Sequence, residues 1–177
     1  MKKLRLVVFD VDGTLIKVDS IWRFLHDKLG TWTKGKQYAK RFFQRRITYE
    51  EWAKLDASLW KNQSLSKIRR IVNEIPYVDG AQETIKSLKK HDVKVVLLSA
   101  GLSLVGERVE RELNIDYSLS NELIARNDYL TGEVKVNVSL DNKDENLDHI
   151  LHRFNVQPDE CCAVGDDESL IPLFKKV

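Results

Sequence analysis

Residues 4–15 have the sequence LRLVVFDVDGTL, in which an apolar run stops at Asp10-Val11-Asp12-Gly13. A short apolar run that ends at turn-forming residues is typical of a buried strand. Because side chains alternate along extended backbone, Asp10 and Asp12 point to the same side and can face one ligand. This stretch therefore predicts a strand whose carboxyl end carries two carboxylates.

Two further apolar runs repeat the pattern. Residues 93–98 (VKVVLL) lead into Ser-Ala-Gly, and residues 161–164 (CCAV) lead into Gly-Asp-Asp. The segments before them, residues 81–88 and 147–154, have the apolar spacing of helices. Strands that alternate with helices predict an α/β fold with a parallel sheet, in which ligands bind beyond the carboxyl ends of the strands. We expect the three polar loops to meet in one crevice.

Residues 17–76 interrupt this alternation and carry helix signals only. Thr48 and Glu51 have the spacing of a capping box, and the apolar pattern at residues 65–75 stops at Pro76. The segment predicts a small helical insertion between the first and second strands, placed over the crevice.

The predicted organisation is an α/β core formed by residues 1–16 and 77–177, with residues 17–76 as a helical cap. Within the core, residues 121–138 contain two apolar stretches around Asn127-Asp128, a turn signal that indicates a β-hairpin.

Four acidic residues are expected to meet at the carboxyl ends of the strands. Asp10 and Asp12 follow the first strand, and Asp166 and Asp167 follow the third. So many close carboxylates repel each other unless a cation neutralises them, and oxygen ligands suit a hard divalent ion, most simply Mg²⁺. We expect Thr14 to hydrogen-bond within the first loop and to fix the orientation of Asp10.

These motifs resemble those of the haloacid dehalogenase (HAD) superfamily. The hexapeptide from Asp10 to Leu15 is similar to its first motif, and Ser99-Ala100-Gly101, Lys143 and Gly165-Asp166-Asp167 follow in the expected order. The chain is most similar to the phosphoserine phosphatase-like subfamily. The resemblance implies a Rossmannoid parallel sheet core, a small helical cap after the first strand and a β-hairpin flap.

The resemblance also implies a role for each matching residue. Asp10 would be the nucleophile and a metal ligand, while Asp12 would act as acid and base and offer its backbone carbonyl to Mg²⁺. Asp166 and Asp167 would complete the metal site. The implied substrate-binding residues are Thr14, Asp19, Ser99, Ala100, Gly101 and Lys143.

Two positions depart from the subfamily's pattern. Leu170 occupies the place of a second acid in the last motif, so that Asp167 must substitute for it. Asp56 aligns with an arginine that binds the substrate carboxylate in true phosphoserine phosphatases, although Arg45, Arg46 or Lys54 could reach the same space. Phosphoserine is therefore one candidate substrate among several. The cap's aromatic residues either line the pocket or form the cap's own core; they are Trp22, Trp32, Phe42, Phe43, Trp52 and Trp60.

The composition and charge of the chain indicate which partners and which cell compartment to expect. A formal charge of +2 over 177 residues gives no field that would attract nucleic acid or an anionic membrane. Met1-Lys2-Lys3 resembles the start of a signal peptide, but the apolar run that follows is broken at Asp10. Cys161 and Cys162 are adjacent and are not expected to pair. We expect a soluble, cytoplasmic protein.

The sequence predicts a Mg²⁺-dependent phosphatase that hydrolyses a small phosphorylated metabolite through an aspartyl-phosphate intermediate. Two alternatives remain open: a phosphotransferase with an alcohol acceptor, and a catalytically weak binding or regulatory module. The chain stops at Val177, where similar proteins continue into another strand and helix. This is expected to leave the third strand at an exposed edge, with dimerisation, a shortened chain or reduced stability as open consequences.

Overall fold

The computed structural model describes residues 3–177, so that Met1 and Lys2, which begin the signal-like start considered above, lie outside the described residues. The core is a five-stranded sheet with the order β4-β3-β2-β1-β5. Its strands are β1 (Leu6–Phe9), β2 (Lys94–Leu102), β3 (Tyr117–Arg126), β4 (Tyr129–Lys135) and β5 (Cys161–Val164). Every strand pair is parallel except β3–β4, which is antiparallel.

The central strand β1 sets the position of the predicted loops. All four of its residues are buried, as expected for a parallel strand covered on both faces. Phe9, the last residue of β1, pairs with Leu97 of β2 and with Val164, the last residue of β5, so the segments that follow these three residues start at the same level of the sheet. The predicted convergence of the three polar segments at one edge of the sheet is therefore confirmed.

Eight helices accompany the sheet in the described part of the chain. Four lie in the predicted cap segment, namely α1 (Ile21–Lys28), α2 (Trp32–Phe43), α3 (Tyr49–Ser58) and α4 (Leu65–Asn73). The other four are α5 (Ala81–Lys90), α6 (Ser103–Leu113), α7 (Lys143–Phe154) and α8 (Ile171–Phe174). The Thr48–Glu51 capping box at the start of α3 is confirmed in both of its hydrogen bonds. In residues 3–177, no helix has the length and apolar character needed to cross a bilayer.

One sequence expectation needs correction. The segment Ser99-Ala100-Gly101 was expected as a loop after the second strand, but β2 continues through it to Leu102 because its side chains are buried and Leu102 pairs with Asn121 after a shift in register. The predicted parallel core and β-hairpin are both confirmed: β3 pairs with β2 in parallel, and β4 joins at the edge as an antiparallel strand, which makes the sheet mixed.

The hairpin turn fastens the core to the cap segment. Asn127 and Asp128 have positive φ angles of 50° and 68°, as a tight two-residue hairpin turn requires. The Asp128 carboxylate accepts hydrogen bonds from Ser64 Oγ at 2.8 Å and from the Ser66 N–H at 2.9 Å. Because Ser64 is the N-cap of α4, the hairpin tip holds the start of a cap helix.

Candidate active site

A cavity of about 220 Å³ opens between the carboxyl ends of the strands and the cap segment. Among residues 3–177, its wall contains every predicted site residue except Thr14 and Asp166. Those two lie beside the wall and are hydrogen-bonded to each other at 2.9 Å. The fold therefore brings the separated motifs together at one place.

Asp10 forms a buried ion pair at the base of this cavity. It directly follows β1, and its backbone N–H donates to the Val164 carbonyl at 2.9 Å. Lys143, the first residue of α7, donates to Asp10 Oδ2 at 2.6 Å, while the Val11 N–H donates to Oδ1 at 2.7 Å. Lys143 is only 2% exposed, so this ammonium group has been taken out of water to face a single carboxylate.

Burial and pairing act against each other at Asp10. Burial raises the pKa of its carboxyl above the ordinary value, and the charge and hydrogen bond of Lys143 counteract that rise. Removal of one partner from a buried pair leaves an uncompensated charge, which is strongly destabilising. The ion pair with Lys143 therefore favours the ionised form of Asp10 at the end of β1.

Asp12 has a different environment. The N–H of Ile21, the first residue of α1, donates to Asp12 Oδ2 at 2.8 Å. Asp12 Oδ1 is shielded from solvent and has no hydrogen-bond partner among the described residues. Burial raises the pKa of the Asp12 carboxyl to about 7, with a smaller contribution from the negative charge of Asp10. A carboxyl with a pKa near neutrality can both give and take a proton at physiological pH.

Thr14 does not orient Asp10 as expected. Its hydroxyl donates to Asp166 Oδ1 at 2.9 Å and so joins the loop after β1 to the loop after β5. The two loops are close at Gly13 as well, where a Cβ would lie 2.2 Å from Asp166 Oδ2. The φ angle of Gly13, +70°, also favours glycine there. Asp166 is thereby held against the first loop.

Asp167 and Leu170 shape the remainder of the loop after β5. Asp167 lines the cavity and accepts a hydrogen bond from the Ser169 N–H at 2.7 Å, which caps the 3₁₀ turn Glu168–Leu170. Leu170 is fully buried, and a Cβ on Gly165 would lie 1.9 Å from its Cδ1. Leu170 thus fills the space beneath the loop as a packing residue.

The acidic residues of the cavity offer oxygen donors, although no group of three His, Cys, Asp or Glu side chains in residues 3–177 is arranged to hold a metal ion by itself. Mg²⁺ is commonly held by one or two carboxylates together with water and substrate phosphate. The negative charges of Asp10 and Asp166 both raise the pKa of Asp12, and Asp167 does the same to Asp10, so the four acids share one electrostatic environment. Lys143 is the one cationic residue in the described cavity wall. The oxygen donors and the excess of negative charge both suit a hard divalent cation.

The segment Ser99-Ala100-Gly101 is held by hydrogen bonds that the sequence did not predict, two of them from Tyr49 and Asn121, which the sequence did not indicate as site residues. Ser99 is buried, and its hydroxyl accepts a hydrogen bond from the Gly101 N–H at 3.0 Å. The Ala100 carbonyl accepts three hydrogen bonds; the donors are Trp22 Nε1 at 3.1 Å, Asn121 Nδ2 at 2.8 Å and the Tyr49 hydroxyl. Because a peptide unit is planar, fixing this carbonyl also fixes the direction of the Gly101 N–H.

Two of those three donors come from the cap segment. Trp22 lies in α1 and Tyr49 begins α3, so the cap contacts the Ser99–Gly101 segment directly. Asn121 is fully buried in β3, and its side chain also bridges to the Val138 carbonyl at 2.9 Å and the Val138 N–H at 2.9 Å. Asn121 is the one amide in β3 (YSLSNELIAR), but that strand also contains serines, a glutamate and an arginine, so the sequence alone does not single it out.

The cap side of the cavity differs from the expected pattern. Asp19 is exposed, while Asp56 is 2% exposed and also lines the cavity. Arg45 and Arg46 lie on a neighbouring groove and Lys54 pairs with Glu50 at the surface, so that none of these described cations contributes to the cavity wall. The alternative positive charges considered for the Asp56 position are therefore absent from the wall.

Residues 7–175 match the family model of the haloacid dehalogenase-like hydrolases. The chain belongs to the haloacid dehalogenase-like hydrolase family. It is 30% identical over 176 residues to the phosphoserine phosphatase of Methanocaldococcus jannaschii, which covers 99% of this chain and 83% of that relative. A phosphoserine phosphatase from Wolinella succinogenes is 28% identical and covers 98% of this chain and 85% of its own.

Two solved structures of phosphoserine phosphatases are similar to this chain in both fold and sequence. A phospho-aspartyl intermediate analogue of a phosphoserine phosphatase has a TM-score of 0.82 and 29% identity, and covers 99% of this chain and 84% of its own. A substrate-bound phosphoserine phosphatase complex has a TM-score of 0.83 and 28% identity, and covers 100% of this chain and 84% of its own. Within the HAD-like hydrolases, the chain belongs to the phosphoserine phosphatase-like group.

Proposed function

We propose that this chain is a phosphatase that hydrolyses a small phosphomonoester through a phosphoryl group carried on Asp10. The observation that carries the proposal is the buried ion pair in which Lys143 Nζ lies 2.6 Å from Asp10 Oδ2, with the Asp12 carboxyl in the same cavity wall. A carboxylate nucleophile, a neighbouring acid and a buried cation are the groups that phosphoryl transfer to a side chain requires.

In the first step, the Asp10 carboxylate attacks phosphorus as the bond from phosphorus to the ester oxygen breaks. Asp12 gives its proton to the departing alkoxide, which leaves as the alcohol. In the second step, Asp12 takes a proton from water as the water oxygen attacks phosphorus, and the bond between Asp10 and phosphorus breaks. Inorganic phosphate leaves, and Asp10 is again a carboxylate.

The surrounding residues position the phosphoryl group and balance its charge. Lys143 would neutralise negative charge on both the phosphoryl oxygens and Asp10. Ser99 and the N–H groups near Gly101 would hold phosphoryl oxygens, with the Ala100 carbonyl fixed from behind. When bound by Asp10, the Asp12 carbonyl and Asp166, with Asp167 nearby, Mg²⁺ would supply neutralisation of the remaining charge.

The cavity supports a small metabolite as the substrate. Its volume of about 220 Å³ is below the usual size of ligand pockets, roughly 300–1,000 Å³. We propose that residues 17–76 form a separate cap over a core made by the rest of the chain. We also propose that the protein is cytoplasmic and binds neither nucleic acid nor membranes. Phosphoserine is one candidate substrate, because related proteins are phosphoserine phosphatases. We also propose that two copies of the chain can dimerise through β5, which lies at one edge of the sheet.

The direct test is release of phosphate from p-nitrophenyl phosphate in the presence and absence of Mg²⁺. We expect activity that requires Mg²⁺ and that Asp10→Asn abolishes. Asp79→Asn is a matched control because Asp79 belongs to the α/β core segment but is exposed, and it pairs with Lys17 at the surface. Loss of activity in both variants, or in neither, would contradict the proposal. Added alcohol acceptors distinguish hydrolysis from phosphotransfer, since a transferase would yield a new ester.

A further inference from the structure

The cap side of the cavity carries negative and aromatic groups where a phosphoserine site needs a positive charge. Five aspartates line the cavity, and Lys143 is the one lysine or arginine in the described wall. Since Lys143 is already paired with Asp10 at 2.6 Å, it serves the phosphoryl end. A substrate carboxylate directed toward the cap would have no cationic partner there.

Asp56 is the decisive residue on this side. It is 2% exposed and lines the cavity, and its Oδ1 lies 3.2 Å from Nε2 of the buried His26. The two groups form an ion pair only when His26 is protonated, and the two atoms are not aligned for a hydrogen bond. Whether protonated or ionised, Asp56 presents no positive charge to a ligand. When ionised, Asp56 repels an anion and attracts a cation or a hydrogen-bond donor.

A second orphaned atom lies beside Asp56. Trp52 Nε1 is shielded from solvent and makes no aligned hydrogen bond in the described chain, but it is close enough to the Asp56 carboxyl to lower its pKa, and Trp52 lines the same cavity. Trp52 packs edge-on against Phe43, with ring centroids 5.7 Å apart, and against Tyr49 at 5.9 Å. These three rings and Trp22 all contribute to the cavity wall.

Aromatic rings together with carboxylates form a recognised type of binding site for ammonium groups. The negative face of an aromatic ring attracts a cation, and the attraction increases when the cation is removed from water. Asp19 at the exposed side and Asp56 at the buried side add negative charge around these rings. The same charges oppose a carboxylate, so that selectivity arises from repulsion as well as attraction.

We propose that the substrate is the phosphomonoester of an alcohol that carries an ammonium group and no carboxylate, with the ammonium bound among Trp22, Tyr49, Trp52, Asp19 and Asp56. This inference rests on the proposed phosphatase function and specifies its substrate class. Phosphoserine is a poor substrate in this account, because its carboxylate faces Asp56 in place of a cation.

The test compares kcat/KM, in the presence of Mg²⁺, for phosphoethanolamine, phosphocholine, phosphoserine, propyl phosphate and p-nitrophenyl phosphate. We expect the better of the two amino-alcohol esters to exceed both phosphoserine and propyl phosphate by about tenfold or more, a difference typical of one well-placed charged contact. Equal or better turnover of phosphoserine would overturn the proposal, as would equal turnover of the neutral propyl ester. In either case, activity on p-nitrophenyl phosphate would leave the phosphatase function intact.

Asp56→Asn tests the residue itself while retaining its size. We expect about a tenfold loss on the preferred ammonium ester and little change on propyl phosphate. Asp27→Asn is the control, because Asp27 is an exposed cap aspartate paired with Arg23 on α1. A uniform loss on all esters would overturn the assignment of Asp56 to the ammonium group. Turnover of phosphoserine that depends on Arg46 would likewise overturn it, since Arg46 lies on the neighbouring groove.

Calorimetric titration of Asp10→Asn with the same esters reads the preference without turnover. Tighter binding of an ammonium ester than of phosphoserine supports the assignment of the ammonium site, whether or not the ester is turned over. Tighter binding of phosphoserine, or absence of binding by both ammonium esters, overturns it.

Discussion

The two sides of the cavity relate differently to the phosphoserine phosphatases that this chain resembles. On the core side, Asp10, Asp12, Ser99 and Lys143 occupy the positions that the motifs predict and lie around one point. On the cap side, the described wall carries Asp19, Asp56 and aromatic rings but no lysine or arginine. The comparison indicates that the same phosphoryl chemistry is combined with a different site for the leaving group. Changes on the core side should therefore affect all substrates equally, and changes on the cap side should affect their ranking.

The largest effect is expected for Lys143→Gln. The substitution removes the cation that faces Asp10 and leaves a buried carboxylate without its partner. We expect kcat to fall by about 10²–10³-fold on every ester, as for other groups that stabilise transition-state charge. The measurement is steady-state kinetics on p-nitrophenyl phosphate and one ammonium ester. Lys175→Gln, at an exposed position, is the control. A loss of activity confined to one ester would contradict the expectation that changes on the core side affect all substrates equally.

Thr14→Val tests how the core side is assembled. The substitution keeps the side chain's shape but removes the donor to Asp166 Oδ1 at 2.9 Å. Loss of a group that orients a metal ligand typically lowers metal affinity by about 10–100-fold. We therefore expect the Mg²⁺ concentration for half-maximal activity to rise by that factor, with kcat at saturating Mg²⁺ nearly unchanged. An unaltered Mg²⁺ requirement would contradict a role of Asp166 in metal binding.

Tyr49→Phe tests the contact between the two sides. It removes one donor to the Ala100 carbonyl and leaves the Trp22 and Asn121 donors in place. Burial raises the pKa of the Tyr49 hydroxyl, which keeps it protonated as a donor. We expect the free energy of unfolding to fall by about 1 kcal/mol, the usual net value of a hydrogen bond. Turnover of all esters should fall together by up to about tenfold, measured beside denaturant unfolding. An unchanged kcat would show that the orientation of this carbonyl does not matter.

Asp116→Asn should change stability alone, because Asp116 lies at the opposite end of the sheet. Its carboxylate accepts hydrogen bonds from Lys89, Lys94 and the Val95 N–H. Burial by itself would raise the pKa of Asp116, but these contacts outweigh it and hold the pKa below the ordinary value. The contribution is therefore present above the unfolded pKa of about 3.9 and is lost as pH falls through the lower folded pKa.

We expect Asp116→Asn to lower the free energy of unfolding by roughly 1–2 kcal/mol at pH 7. The difference from wild type should disappear as the pH is lowered below about 4, in denaturant titrations at a series of pH values. A kcat that differs from wild type at pH 7 would contradict the separation of this end of the sheet from the site.

The chain's pattern predicted the core side well because each element there is local. Apolar runs specify β1 and β5, and acids directly after a parallel strand must lie at its carboxyl end. The capping box of α3 and the hairpin turn at Asn127-Asp128 are equally local signals, and both are confirmed.

The residues that were missed act across long separations in the chain. Asn121 and Tyr49 are 72 positions apart, yet both donate toward the Ala100 carbonyl. No periodicity reports such a contact, because it depends on how the cap segment packs on the sheet. The predicted role of Thr14 was wrong for the same reason. Its partner Asp166 is 152 positions away in the sequence, and the two loops lie side by side only in the folded sheet.

The central claim, that Asp10 carries the phosphoryl group, is tested most directly by trapping it. The protein is mixed with an excess of p-nitrophenyl phosphate and Mg²⁺, quenched in acid within one turnover, digested and analysed by mass spectrometry. The account predicts one added phosphoryl group on the peptide that contains Asp10, and its absence after Asp10→Asn. Phosphate release without any modified peptide, or a phosphoryl group on a residue other than Asp10, would contradict the account.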